Sequence, residues 1–461
     1  MAYANRRIGA DLARRGFVAG LSASMLGAIM PGLSLAAATG GQPPPGPFVF
    51  SNFRLFDGKS AALRDGLFMV VEGSMIAQVG QGAAPAKEGA TAVDCGGRIL
   101  MPGLIDAHWH ALLAAVPIQT ILQADIAFVH IAAVAEARNT LMRGFTTIRD
   151  AGGPSFALKQ AIDSGLAAGP RIYPSGAMIT TTGGHGDFRP LFEFPRTGGP
   201  ASQIEQVGGA AIADSADEIR LRVREQFVQG ASQAKIVGSG GVSSPRSPLD
   251  MLTFTEEQLR AGVETARDWG SYAMVHAYTP QAVQRSLAAG VQCIEHGHLM
   301  DDATAAKMAE QGTWLSTQPF IDQNDVAPLS GPGLQRFLDI TAGTPRTFEL
   351  ARKHGIKTAF GTDLIFSATL ARRQGTMLAH LGRWFSNAQV LQMATSTNAE
   401  LLALSGQRNP YPARLGVLEA GAYADLLVVD GNPLEDLAVL TRPEQNLRLI
   451  MKDGRVYKNL L

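Results

Sequence analysis

The sequence is short of cysteine, of net charge and of histidine. Two cysteines in 461 residues, Cys95 and Cys293, are too few for a disulfide scaffold or a thiolate metal site. Forty Lys plus Arg balance forty Asp plus Glu, so no basic surface speaks for a nucleic-acid partner. Charged residues make up only 17% and hydrophobic residues 46%, which excludes a disordered chain and provides ample material for a core. No internal repeat of solenoid length occurs, and the one low-complexity stretch is a short Pro/Gly run. At roughly 150 residues per domain the length suggests about three units, and 51 glycines with 25 prolines predict many tight loops.

Residues 1–38 read as an export signal. Arg6, Arg7, Arg14 and Arg15 precede the uncharged run FVAGLSASMLGAIMPGLSLAAA, which ends in small residues. The order Arg14, Arg15, Gly16, Phe17, Val18 resembles a twin-arginine signal and predicts a protein exported to a bacterial periplasm. The rival reading is an uncleaved anchor, but Pro31 and the glycines weaken a spanning helix, so no stable membrane insertion is expected once the signal is removed. Residues 39–47, TGGQPPPGP, form a linker.

Residues 48–98 and 405–461 both look like β structure. LFMVVEGSMIAQVG predicts a hairpin across Glu72-Gly73, and LRLIMKDGRVYKN another around Asp453-Gly454. Between them, residues 99–404 alternate short β-rich runs with helical stretches. The runs are GLIDAHW, TTIRDA, RIYPSGAMI, QAKIVG, YAMVHAY, VQCIEHG, TWLSTQ and KTAFGTD. The helical stretches EEQLRAGVETARDWG and PQAVQRSLAAG each close on a glycine. Eight strands alternating with helices predict an α/β fold, a (β/α)8 TIM-like barrel, with a small β-sandwich domain built from both chain ends.

Five of the nine histidines fall at predicted strand ends or just beyond, where barrels of this kind collect their active sites. His108 and His110 end the first run, and side chains two apart on a strand share a face. Such a pair can grip a metal, although H-x-H alone is a weak signal. Lys235 lies in the fourth run beside Ile236 and Val237. It is either an ordinary surface lysine or a desolvated amine able to take up CO2. His276 ends the fifth run, His296 the sixth and Asp363 the eighth. Each alone reads as a core or loop residue; as a set of four histidines, a lysine and an aspartate they point to a metal centre.

In family order, PGLIDAHWH, TTIRDAGG, TTTGGHGD, AKIVGSGG, VHAYTPQAV, IEHGHL, AFGTDL and ADLLVVDGNPLEDL resemble the metal-dependent amidohydrolase superfamily. The resemblance is to its prolidase-like, imidazolonepropionase-related branch of Xaa-Pro and Xaa-Arg dipeptidases and ochratoxinase-like amidases, and it covers essentially Phe48–Leu461. It implies two divalent metal ions, usually Zn2+. His108, His110 and Asp363 would hold one, and His276 and His296 the other. N-carboxylated Lys235 would bridge them. It implies Asp363 as general base and then acid, Tyr278 as donor to the oxyanion, and His185 as a substrate contact.

The implied reaction is amide hydrolysis of a dipeptide or N-acyl amino acid, ochratoxin-type amides included. A cyclic amide, lactone or phosphotriester is the alternative on the same site. The implied partner is that small-molecule or dipeptide substrate, and relatives suggest a homo-oligomer. Tyr278 could equally pack on the barrel rim, and the glycines around His185 could simply make a turn. His298 could tune substrate choice or sit in a turn. Arg149 and Asp150 could orient ligands or form a barrel salt bridge. Arg189, in DFRPL, is a candidate fork for a substrate carboxylate. His130, His354 and His380 read as surface or packing residues. Residues 239–250 and 320–344 read as long loops at a pocket rim or an oligomer contact.

Overall fold

The computed structural model describes residues 46–194 and 201–461. The export signal and most of the linker therefore lie outside the described residues. No helix among the described residues is long and apolar enough to cross a membrane.

Both chain ends build one sheet of seven strands. Its pivot is the long strand Thr91–Pro102. Along one edge, residues 91–100 of that strand pair in parallel with Phe48–Leu55, and along the other its last four residues pair antiparallel with Leu426–Val429. Where the sequence predicts a sandwich, the hydrogen-bonded ladder runs through all seven strands. The reason is that this strand offers its two edges to partners from opposite ends of the chain, both of them bonded at Ile99 and Leu100. It also runs across the expected boundary at residue 98. Phe50, Phe53, Met69 and Leu100 share a core with Leu418, Leu426 and Leu449 from the far end of the chain. The closing hairpin turns at Asp453 and Gly454, with φ of 56° and 69°, the positive values that a tight two-residue hairpin requires.

The remaining strands are parallel and fall into two sheets. Leu104–Trp109, Phe145–Asp150 and Arg171–Tyr173 form one. The other runs in the order Thr358–Phe360, Trp314–Thr317, Cys293–His296, Ala273–Ala277, Ala234–Val237, Met178–Thr180, Ala210–Ile212. Side chains stitch the two sheets at both seams. Asn398 Nδ2 donates to the carbonyls of Ile105 and Phe360, both at 2.8 Å. Gln233 Nε2 donates to the Tyr173 carbonyl at 2.9 Å.

The third expected run, RIYPSGAMI, is split in two. Pro174 cannot donate to a ladder, and Gly176 turns the chain at a φ of 73°. Helices follow the strands, and the expected closing glycines Gly270 and Gly290 stand at φ of 72° and 87° just past the helices Glu256–Asp268 and Pro280–Ala288. Thr255 caps Glu256–Asp268 in a capping box, and Thr279 caps Pro280–Ala288 with proline in the first turn.

The stretch 320–344 departs from expectation. Its Gly and Pro residues suggested a loop, but residues 331–354 form a single helix. Phe337, Ile340, Thr344, Thr347, Phe348 and Ala351 recur at helical spacing and are buried, and this packing outweighs the cost of Pro345 inside the helix.

Candidate active site

The C-terminal ends of the parallel strands bring together the six side chains of the expected metal set. His108, His110, Lys235, His276, His296 and Asp363 all line one pocket of about 380 Å³, its mouth included. His110 Nε2 is 3.0 Å and His108 Nε2 3.5 Å from Asp363 Oδ1, and Lys235 Nζ is 3.4 Å from His108 Nε2. One ligand atom from each of His108, His110 and Asp363 lies within 4.8 Å of the others. The His276 and His296 rings follow at a centroid separation of 4.3 Å, and His296 is 5.0 Å from His108.

The backbone is bent to deliver two of these groups. His296 and Asp363 are not glycines, yet they stand at φ of 76° and 52°. Such conformations persist where surrounding bonds over-determine them. The Asp363 amide donates to the His108 carbonyl at 2.8 Å, and its neighbour Thr362 donates through both amide and hydroxyl to Asp106. Gly361 is required in the same turn: a Cβ there would lie 2.5 Å from that of His108.

Each imidazole of the set has one nitrogen committed to the protein. His108 Nδ1 donates to Glu295 Oε2 at 2.6 Å, His110 Nδ1 to the Gly152 carbonyl at 2.9 Å, His276 Nε2 to the Gly240 carbonyl at 2.9 Å and His296 Nδ1 to Gln318 Oε1 at 2.8 Å. In His276 and His296 that fixes the tautomer and leaves a lone pair on the other nitrogen, which suits a metal ligand, while His108 Nε2 faces Lys235 Nζ and His110 Nε2 faces Asp363 Oδ1 within the set. Burial, reinforced by Lys235, lowers His108 to about 4, and burial followed by neighbouring imidazoles or Lys235 drives His276 and His296 well below the ordinary range. Burial also lowers Lys235, against the pull of Glu295 and Asp363. Burial works to raise Asp363, but His108 and His110 outweigh it and hold the carboxylate well below its usual range. Neutral imidazoles, an ionised carboxylate and an amine pushed toward neutrality form a donor set that fits divalent cations.

Glu295 was not singled out from the sequence. Burial opposes its ionisation, but Arg149 at 2.6 Å, with His108, keeps it ionised. Arg149 therefore pairs with Glu295, and not with the adjacent Asp150, which instead accepts from the Ala111 amide and Ser155. The available signal was a carboxylate in a buried β run together with an equally buried arginine. Asp106 and Gln318 escaped for the same reason, since no motif marks a residue that grips another residue's ring or backbone.

The expected substrate residues divide. His185 lines the pocket, stacked on His276 at 4.5 Å, and its Nδ1 is buried with no hydrogen-bond partner among the described residues. Tyr278 is buried against His276 and His296, at 4.9 and 4.7 Å. Arg189 is turned inward. Its Nε and Nη2 bond the two oxygens of Asp187 at 2.8 and 2.7 Å, so a carboxylate of the chain already fills the fork expected for substrate. His298 is buried. Its Nε2 donates to the Gln318 carbonyl, its ring stacks on Phe320 and its Nδ1 has no partner among the described residues. Ser243, from the loop 239–250, joins Met178, Phe188, Ile365 and Phe366 on the pocket wall. His130 sits half-buried in the helix Ile126–Met142, His354 pairs with Asp302 and His380 with Asp325, all away from the pocket lining. Cys95 and Cys293 are free and buried in separate cores.

The chain matches the family model described as Amidohydrolase family over residues 99–457. The solved structure of an amidohydrolase superimposes with a TM-score of 0.82 at 34% identity, covering 90% of this chain and 99% of that one. A prolidase solved with N-methylphosphonate-L-proline also gives a TM-score of 0.82, at 32% identity over 90% of this chain and all of that one. The ochratoxinase of Aspergillus niger is 27% identical over 332 residues, 69% of this chain. That match spans 66% of the ochratoxinase, just under two thirds of its length.

Proposed function

This chain belongs to the amidohydrolase family, and from that premise we propose that it is a metal-dependent hydrolase of amide bonds in dipeptides or N-acyl amino acids. The observation that carries the reading is the convergence of four imidazoles, Lys235 and Asp363 on one pocket, each imidazole with one nitrogen held by an acceptor outside the set. The likeness to a prolidase and to an ochratoxinase supports the amide bond as target. The wall formed by Met178, Phe188, Ile365 and Phe366 suits an apolar group beside that bond.

His108, His110 and Asp363 would hold one divalent cation and His276 and His296 a second, with Lys235 N-carboxylated between them; zinc suits these donors. When bound, the cations supply an activated water and polarise the scissile carbonyl. The remaining work falls to the protein. Asp363 Oδ takes the proton of the attacking water as its oxygen bonds to the carbonyl carbon. Asp363 then returns that proton to the nitrogen as the C–N bond breaks, so an acid and an amine leave. The Tyr278 hydroxyl, kept protonated by burial and by Asp363, is the donor offered to the oxyanion, and His185 contacts the substrate from the pocket wall. Glu295 and Gln318 keep His108 and His296 in register. Residues 1–38 extend the proposal to export, so the purified mature chain is the form to assay.

The test is a substrate panel of Xaa-Pro, Xaa-Arg and N-acyl-Phe amides beside lactones, cyclic amides and phosphotriesters, run with metal analysis. Turnover of the amides by protein carrying two metals per chain is expected. Lys235→Ala is expected to lose metal and activity, with partial rescue by short carboxylates. Turnover confined to lactones or phosphotriesters overturns the substrate assignment, and a Lys235→Ala protein that keeps both metals unaided overturns the carbamate.

A further inference from the structure

The loop 239–250 is fixed differently at its root and at its tip. At the root, the Gly240 amide donates to the Met251 carbonyl at 3.0 Å, and Ser239 bridges to Leu252. The Gly240 carbonyl there accepts from His276 on the metal side. The tip, residues 241–247, has a single backbone-to-backbone hydrogen bond among the described residues, from Gly241 to Ser247 at 3.3 Å. Yet the tip forms part of the wall that faces substrate. Ser243 lines the pocket. Gly241 lies so close to the His185 ring that a Cβ on it would stand 2.5 Å from Nδ1. The Ser244 hydroxyl accepts from the Gly186 amide, next to His185, at 2.8 Å. Burial of Val242 draws the tip toward the core, but apolar contact is non-directional and does not set which way the peptides face.

Arg336 supplies the direction. Its Nη2 donates to the Val242 carbonyl at 3.0 Å and to the Ser244 carbonyl at 2.9 Å, the carbonyls on either side of Ser243. Arginine is always charged, and hydrogen bonds from a charged donor are about twice as strong as neutral ones. An arginine drawn out of water is ordinarily paired with a carboxylate. Half-buried Arg336 has none among the described residues, and its Nε is buried without a partner. Both of its bonds go to the loop. It is not on the pocket wall, so the loop is its route to the site. The helix 331–354 that carries it is anchored by the buried Phe337 and Ile340, and Gly333 approaches the same Val242 carbonyl.

We propose that Arg336 is a positioning residue that latches the tip of this loop and so holds Ser243 and His185 in place against the substrate. The latch itself depends only on the loop geometry; its kinetic consequence rests on the amide-hydrolase reading. The experiment is amide hydrogen exchange by mass spectrometry on the mature chain, with steady-state kinetics on an amide substrate, metal analysis and melting temperature. Arg336→Met keeps the apolar stem and removes the donors. Peptides covering 241–247 and 183–187 are expected to exchange at least about tenfold faster in this variant, and those from the strand Ala273–Ala277 at the wild-type rate. KM is expected to rise about tenfold, the equivalent of one charged hydrogen bond, with kcat within about twofold and metal content unchanged. The melting temperature is expected to fall by no more than about 3 °C. Arg336→Lys, whose ammonium has hydrogens for both carbonyls, is expected to recover most of the protection and most of the KM. Loop exchange at the wild-type rate in Arg336→Met overturns the latch, and a raised KM beside it means that Arg336 touches substrate itself. Faster loop exchange with unchanged KM overturns the positioning role, as does loss of metal. An Arg336→Lys protein that behaves like Arg336→Met also overturns it. The exchange result needs no turnover, so a failed latch and a failed amide assignment are told apart.

Discussion

The histidines in and around the pocket fall into two halves that differ in how they are held. On the metal side, His108, His110, His276 and His296 each spend one nitrogen on a named acceptor of the protein. On the other side, His185 is only half-buried on the pocket wall and His298 is buried against Phe320 outside the pocket lining, yet the Nδ1 of each is buried with no partner among the described residues. A buried polar atom left unbonded costs about 1–3 kcal/mol, so the second half stores a deficit that the first half does not. The difference separates a donor set preorganised for cations from a wall that is completed only when something else arrives. Substitutions on the first side should change metal content and stability, whereas those on the second should change substrate handling and leave the metals in place.

The largest effect is expected from Asp363→Asn. The amide cannot take a proton from water, and it weakens one ligand position, so turnover should fall by at least about a thousandfold with the fold retained. Activity near wild type in a steady-state assay removes Asp363 from proton transfer. Glu295→Gln comes next. It touches no substrate, but it loosens His108 and strips Arg149 of its counter-charge in a fully buried site. Metal affinity should fall about 10–100-fold. Stability in chemical denaturation should fall by about 3 kcal/mol. A variant with full metal content and unchanged unfolding midpoint makes Glu295 a spectator and erases the contrast between the halves.

His185→Phe probes the other side. The ring stack on His276 survives and both nitrogens go. Loss of one hydrogen bond to substrate should lower kcat/KM about tenfold, with two metals still bound. Metal loss without a change in substrate preference would place His185 in the metal half.

How much of this was legible in the sequence follows the same division. His108, His110, Lys235, His276, His296 and Asp363 could be found because strand ends, i and i+2 spacing and ordered motifs all mark residues that face a common axis. Arg149, Glu295, Asp106 and Gln318 could not be placed, because a side chain that orients another contributes no spacing of its own. Arg189 shows the opposite error. An arginine on a glycine-rich loop looks free until Asp187, two residues earlier, is seen to fold back onto it. At the level of the fold, alternation and turn residues were sufficient for both hairpins and for the helix caps. Residues 331–344 were misread because Gly and Pro are local signals, whereas burial of Phe337 and Ile340 is a tertiary one.

The smallest effect, and the sharpest test of the contrast, is expected at His298. Its Nε2 donates to the Gln318 carbonyl at 2.9 Å, so the neutral ring carries its hydrogen there and presents Nδ1 as a bare acceptor. Burial lowers its pKa to about 4, which keeps the ring in that form at neutral pH. His298→Phe preserves the stack on Phe320, removes the unbonded acceptor and leaves the Gln318 carbonyl with the Phe320 amide alone as its donor. An unbonded acceptor is removed and one of the two bonds to the Gln318 carbonyl is lost, so a gain and a loss of about 1 kcal/mol each should nearly cancel. The unfolding free energy should therefore change by less than about 1 kcal/mol, and metal content should not change. A loss well beyond that means Nδ1 already has a partner in the free protein, such as an ordered water. His298 would then belong with the satisfied histidines, and the line between the two halves would run through His185 alone.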